Sequence, residues 1–131
     1  MKYLCMGFHD EKAMAALEPA ERETLIRDSL AFESRLRSGG HVIDGRALKG
    51  TADAVTLRFA SGGKMAITDG PFAETKEQLG GVLLLEAADL NQAIQLMSEL
   101  PCMKAGGSVE IRPINENIRA INETVLAGAE R

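Results

Sequence analysis

The sequence predicts an α+β domain in which helices cover one face of a mainly antiparallel sheet. Two observations indicate this class: short runs with strand-like alternation are separated by two longer runs with helical spacing, and glycine or proline marks most of the boundaries. The length of 131 residues suits one compact domain with its own core. The composition agrees, because 45% of the residues are hydrophobic and 26% are charged.

Charge and the N-terminal sequence exclude several functional classes. The formal net charge of −4 argues against a nucleic-acid partner, because neutralising phosphates takes clustered Lys and Arg. Residues 1–10 hold only a short apolar stretch, far below the roughly 20 residues of a membrane span, and no signal-cleavage pattern. We therefore expect a cytoplasmic protein with no membrane partner. Cys5 and Cys102 form no CxxC pair and are interpreted as small buried side chains.

The chain begins with a strand followed by a long helix. Residues 2–8 are rich in apolar side chains and predict a buried strand. Glu18 and Pro19 predict a helix start, because Pro fits the first turn and acidic groups face the positive end of the helix dipole. Gly39-Gly40 is the predicted end of this helix. Its apolar face, interrupted by Ser29, holds Leu25, Ile26, Leu30, Phe32 and Leu36.

The middle of the chain predicts three more strand regions. Residues 41–48 form a second strand in which Asp44-Gly45 marks a bulge or a turn. Residues 54–59 and 64–68 alternate between apolar and polar types around a glycine-rich turn, which predicts an antiparallel hairpin with one apolar face. The run 82–85 is apolar at every position and predicts an interior strand buried on both faces.

The last third predicts a helix, a strand and a helical tail. Asp89 with Gln92 gives a capping-box-like D-x-x-Q, and the helix is expected to continue until Pro101. Residues 108–112 alternate and predict the last strand. Asn115 predicts the start of a third helix, whose apolar stripe must pack on this domain or on a second copy. The stripe consists of Ile114, Ile118, Ile121 and Val125.

This order of elements is β-α-β-β-α-β with an added β-hairpin, which is the ferredoxin-like arrangement. Helices then cover one face of the sheet, and the other face carries apolar side chains from the run 82–85. An uncovered apolar face is most simply buried against a second copy of the chain. We therefore expect a homodimer.

One motif gives the sequence a family resemblance. The stretch Asp69–Glu77, DGPFAETKE, followed by QLGG at 78–81, resembles the signature of the DGPF-type branch of the YCII-related proteins. The opening MKYLCM, the segment GSVEIRP at 107–113 and the order of elements match that branch too. We expect a YCII-related domain over residues 1–113 and a helical extension over 114–131.

The resemblance implies that two chains pair into a dimeric α+β barrel with a cleft between the sheet and its loops. Some members of the wider superfamily are small-ring enzymes, such as muconolactone isomerases and a dehydrochlorinase of chlorinated hydroxyquinols. Other proteins of the DGPF branch are associated with extracytoplasmic-function sigma factors. In shorter relatives the first helix carries an inward histidine as a candidate acid–base group. Ser29 stands at that position here, and a serine alone does not transfer protons near neutral pH.

Asp69 is the strongest single candidate for a catalytic residue. It ends a strand before a Gly-Pro turn, where its carboxylate acts as a general base or orients a ligand. The alternative is that it caps the turn, as Asp commonly does. Gly70 and Pro71 are expected to line the site mainly by fixing the path of the loop.

Charged side chains beside Asp69 predict a polar cleft. Glu74, Lys76 and Glu77 line a cleft suited to a small polar or anionic substrate, or they form a solvated loop with weak ion pairs. Arg58 lies on the polar side of the hairpin, where it binds a carboxylate or phenolate, or is simply exposed. Ser29 offers a hydroxyl to an internal pocket, or packs in the core with one hydrogen bond.

The sequence predicts no cofactor. His9, Asp10 and Glu11 are metal-ligand types, but no second histidine lies at a suitable spacing, so a metal site is disfavoured. We therefore predict a small-molecule-binding protein, an isomerase or lyase acting on a small cyclic or phenolic substrate with Asp69 as its acid–base group. The alternative is a non-catalytic regulator that contacts another protein, such as a sigma factor.

Overall fold

The computed structural model describes residues 1–118, 125, 127 and 128. Its strands are β1 (Lys2–His9), β2 (Val42–Ala47), β3 (Val55–Phe59), β4 (Met65–Asp69), β5 (Gln78–Glu86) and β6 (Ser108–Pro113). Its helices are α1 (Glu11–Ala15), α2 (Pro19–Ser38), α3 (Leu90–Met97) and α4 (Pro101–Lys104), with a 3₁₀ turn at Thr51–Asp53. Within this part of the chain, no helix is long and apolar enough to cross a membrane.

The strands form one four-stranded sheet and one separate hairpin. The sheet has the order β2-β5-β1-β6, and each neighbouring pair is antiparallel. Strands β3 and β4 pair only with each other, with Leu57 opposite Ile67. The predicted α+β, ferredoxin-like arrangement with an added hairpin is therefore confirmed. The pairing of two such chains into a barrel stays a prediction.

The core lies between the sheet and helices α2 and α3. Alternate residues of β1, Tyr3 and Cys5, point towards the helices and are buried, since side chains alternate along a strand. Helix α2 contributes Phe32 and α3 contributes Ala93 and Met97. The fully buried hydrophobic residues are Tyr3, Cys5, Phe32, Val42, Leu85, Ala87, Ala93 and Met97.

Helix boundaries follow the capping residues of the sequence. Helix α2 begins at Pro19 and ends before Gly39, as predicted. The Asp89 carboxylate accepts a hydrogen bond from the Gln92 backbone N–H at 2.9 Å, and the Gln92 side chain accepts one from the Ala88 N–H at 2.6 Å. However, α3 ends at Met97, and Pro101 begins the separate short helix α4. Proline suits that first-turn position because its missing N–H has no intrahelical partner there.

Two features of the sheet differ from the sequence prediction. Strand β5 begins at Gln78, so Gly80 and Gly81 lie inside the strand and do not close a loop. In the run 82–85, Leu85 is fully buried while residues 82–84 are only partly buried. The prediction of burial on both faces is thus wrong for the single chain, because its helices cover one face only.

The predicted helical tail is described only at its start. Residues 116–118 are helical, and the Ile118 N–H donates to the Asn115 side-chain oxygen at 3.3 Å, which is the predicted cap. Ile121, part of the predicted apolar stripe, lies outside the described residues. Ile118 and Val125 are exposed.

Candidate functional site

A cleft of about 310 Å³ opens at the C-terminal end of β1, on the helix side of the sheet. We call it the His9 cleft. Helix α1 and the start of α2 form one wall, and the segment after β2 forms the other. Its lining consists of His9, Glu11, Met14, Ala15, Arg22, Leu48, Lys49, Gly50 and Gly80.

The imidazole of His9 lies directly against the backbone of Gly80. The register between β1 and β5 shifts after Gly7, so that Phe8 pairs with Leu79 and Gly80 is the extra residue of a bulge. A Cβ atom at Gly80 would lie 2.2 Å from the His9 Cε1 atom and 2.5 Å from Nδ1. Glycine at this position therefore gives the ring its place in the cleft. Among residues 1–118, neither ring nitrogen of His9 has a hydrogen-bond partner.

Glu11 connects α1 to the opposite wall. One carboxylate oxygen accepts the Thr51 backbone N–H at 2.8 Å, and the other accepts the Thr51 hydroxyl at 2.8 Å. These hydrogen bonds, with a smaller effect of the nearby His9 charge, lower the pKa of Glu11. The carboxylate of Asp10 caps α1 by accepting the N–H groups of Lys12 and Ala13. Both acidic groups beside His9 thus have structural partners.

Two cationic side chains line the same cleft. The Nη2 atom of Arg22 donates to the carbonyl oxygens of Ala15 at 2.9 Å and Leu17 at 3.2 Å, which fixes the guanidinium at the turn between α1 and α2. A guanidinium has five donors in a rigid fork, so it can hold carbonyl groups and a ligand together. Lys49 is exposed on the other wall. Together these cations favour a negatively charged ligand.

The predicted Asp69 site has a different geometry. Asp69 is the last residue of β4 and pairs with Val55 across the hairpin. Gly70 has φ +105°, a left-handed conformation that glycine favours, and its N–H donates to the Ala54 carbonyl at 2.7 Å. Arg58 does not bind a ligand group here, since its Nη2 donates to the Phe72 carbonyl oxygen. The arginine therefore shapes the loop.

The other predicted site residues are spread over three places. Pro71, Glu74 and Lys76 are exposed. Glu77 lies at the loop's end, where its carboxylate accepts the Ser108 hydroxyl at 3.1 Å. Ser29 is on α2, and its hydroxyl donates to the Leu25 carbonyl at 2.8 Å, as serine in a helix commonly does. The loop 69–77 lines neither the His9 cleft nor the groove of about 750 Å³ between α2 and α4.

The sequence alone did not single out the groups that line the His9 cleft. His9 was considered only as a metal ligand, and Arg22 and Lys49 lie 13 and 40 positions further along the chain. Their meeting depends on the sheet order and on α1, which the sequence reading did not identify. The one available signal was Asp10, a favoured N-cap residue directly after a strand.

Comparisons with known proteins agree with this fold. An uncharacterized protein of Rhizobium meliloti (strain 1021) is 36% identical over 115 residues, which cover 87% of this chain and 92% of the relative. The structure of 5-chloro-2-hydroxyhydroquinone dehydrochlorinase from Burkholderia phenoliruptrix, in complex with 2,5-dihydroxybenzoquinone, superposes with a TM-score of 0.52 at 16% identity. It covers 89% of this chain and 98% of that one. The YCII-related domain matches residues 1–118, and the chain belongs to the YCII-related family.

Proposed function

We propose that the protein binds a small anionic ring compound, such as a phenolate or a ring carboxylate, in the His9 cleft, and that it transfers a proton on this ligand. The observation that carries the proposal is the position of the His9 imidazole against Gly80, in one cleft with Arg22 and Lys49. A proton-transfer group beside fixed positive charge is the minimum that an isomerase or lyase of this kind needs.

The size and lining of the cleft fit such a ligand. A volume of about 310 Å³ is at the lower end of small-molecule sites. Met14, Ala15 and Leu48 supply apolar surface for a ring, while the cationic groups select its charge. Small size and mixed lining thus favour a single ring over a nucleotide or a peptide.

The roles of the residues follow from their chemistry. Histidine is the side chain best suited to accept and return a proton near neutral pH. Arg22 is held by two backbone carbonyls, so its charge is already in place before a ligand arrives. The Glu11 carboxylate stays ionised because Thr51 hydrogen-bonds to it, and it favours a positively charged His9 after proton uptake.

The superposed structure supports the substrate class. That protein is a dehydrochlorinase of a chlorinated hydroxyhydroquinone, and its structure contains a dihydroxybenzoquinone. The two chains share the fold at low identity, so a hydroxylated ring is a reasoned starting point for ligand screening. Membership of this chain in the DGPF branch remains part of the proposal.

A second candidate function is supported by a different observation. The hairpin β3–β4 exposes apolar side chains, with Phe59 79% and Ile67 66% exposed. Such a surface fits a partner protein, and a sigma factor is the partner that the family resemblance implies. In this reading Asp69, Glu74 and Lys76 contact the partner and perform no chemistry.

Thermal denaturation with added ligands tests the first proposal. Probes are 4-hydroxybenzoate, catechol and hydroquinone, and the variants are His9→Asn, Lys49→Met and Asp69→Asn. A ligand at about 100 times its Kd stabilises the fold by about 2.7 kcal/mol. We expect stabilisation of the wild type by the hydroxybenzoate, a reduced effect in His9→Asn and Lys49→Met, and an unchanged effect in Asp69→Asn.

The controls separate the two possible sites. Lys64→Met removes an equal charge in the hairpin, outside the His9 cleft, and should leave binding unchanged. Loss of the effect in Asp69→Asn alone would move the site to the 69–77 loop. Absence of stabilisation by every probe in the wild type would favour the partner-protein function.

A further inference from the structure

The hairpin presents a continuous apolar surface to solvent. Register pairs place Leu57 opposite Ile67 and Phe59 opposite Met65 on one face of the two strands. Each member of this surface is between 54% and 79% exposed. We call it the hairpin face, and it consists of Val55, Leu57, Phe59, Met65 and Ile67. Monomeric proteins rarely expose an apolar patch of more than a few hundred Å².

The same chain has a second uncovered apolar surface, on the side of the sheet that faces away from the helices. Tyr3, Cys5 and Leu85 point to the core, so the alternating neighbours on β1 and β5 point to the opposite side. These are partly exposed and lie on the two central strands. We call this surface the open face, and it consists of Leu4, Met6, Phe8, Val82 and Leu84.

Charged residues border the open face on both edge strands. On β2, Arg46 pairs with Asp44, and on β6, Arg112 Nη2 lies 2.6 Å from Glu110 Oε2. Each pair lies within its own strand, so the edge charges are neutralised inside the chain. An apolar centre with a polar border is the usual anatomy of a protein interface.

We infer that the hairpin face of one chain packs on the open face of a second copy of the same chain, and that the contact is reciprocal. A twofold dimer uses each pair of surfaces twice, so one association covers both hairpin faces and both open faces. This inference concerns an interaction surface and goes beyond the proposed ligand binding. It holds whether or not the His9 cleft binds a ring compound.

A second copy fits better than an unrelated protein for two reasons. First, both halves of the contact are present on one chain and are matched, with five apolar side chains on each. A different partner on the hairpin would leave the open face uncovered. Second, two such contacts approach the roughly 800 Å² per partner that stable interfaces bury, which one hairpin alone does not.

Sedimentation velocity tests the inference on the full chain. We expect a wild-type dimer at micromolar concentration, and monomers for Ile67→Asp and Met6→Lys. The matched control is Ala66→Asp, which places the same charge on the opposite face of the hairpin beside Arg58, and it should remain dimeric. Circular dichroism establishes that each variant is folded.

Mixing the two monomeric variants identifies the contact. An Ile67→Asp chain and a Met6→Lys chain should form a mixed dimer, because one contact is native and the other joins opposite charges. Hairpins that pack on each other would not recover in this mixture. A monomeric wild type, a dimer that persists in folded Ile67→Asp, or a mixture that stays monomeric would each overturn the inference.

Discussion

Replacing Gly80 by alanine should displace the His9 ring and destabilise the fold. The added Cβ would lie 2.2 Å from His9 Cε1, well inside van der Waals contact, so the ring or the strand has to move. Overpacking of this kind costs about 1 to 3 kcal/mol. Alanine also restricts the unfolded chain, which offsets about 0.4 to 1 kcal/mol of that cost. The expected net loss is therefore about 0.5 to 2.5 kcal/mol.

The decisive measurement is a double-mutant cycle by urea denaturation. In a His9→Ala background the clash is absent, and Gly80→Ala should then be neutral or stabilising by up to about 1 kcal/mol. Gly7→Ala is the matched control in the same strand pair, since its Cβ would lie 3.8 Å from the Gly81 carbonyl, an ordinary contact. An equal loss from Gly80→Ala in both backgrounds would refute the contact between His9 and Gly80.

The remaining predictions concern groups outside that contact. Burial raises the pKa of Cys5 from 9.0 to about 11. Its stabilising contribution is complete below pH 9 and should fall by about 2.7 kcal/mol as the pH rises to 11, a loss that urea denaturation should not find in Cys5→Ala. Thr51→Val removes a hydrogen bond that lowers the pKa of Glu11, so NMR titration should show this pKa rising towards 4.5. The stability that this carboxylate contributes above its unfolded pKa, and that acid removes, should shrink correspondingly. Asp89→Ala removes the cap of α3 and should cost about 1 kcal/mol in thermal denaturation, whereas exposed Ser98→Ala should cost less.

The fold was predictable because its signals are local. Proline at position 19, the Asp89 cap and the alternation in the hairpin each specify an element through contacts within a few residues. The order of those elements then determines the sheet. The short helix α1 was missed because five residues are too few for a clear helical period.

The candidate site was harder to predict because it depends on distant contacts. The motif that starts at Asp69 was interpreted as one functional loop, but the structure divides it into an exposed loop and the first part of β5. Gly80 belongs to the second part, and its importance becomes visible only when β1 lies beside β5. The motif residues Asp69, Glu74 and Lys76 remain predicted site residues.

The separation of the hairpin from the main sheet gives the molecule two regions of different local stability. A two-stranded hairpin without a packed face is marginally stable, and the five residue pairs between β3 and β4 have no third strand beside them. Their amide protons should exchange with solvent after a local opening, while those of β1 and β5 exchange only after global unfolding. Association through the hairpin face would slow the exchange in β3 and β4 in proportion to protein concentration. Amide exchange measured across a dilution series therefore reports on this surface one residue at a time.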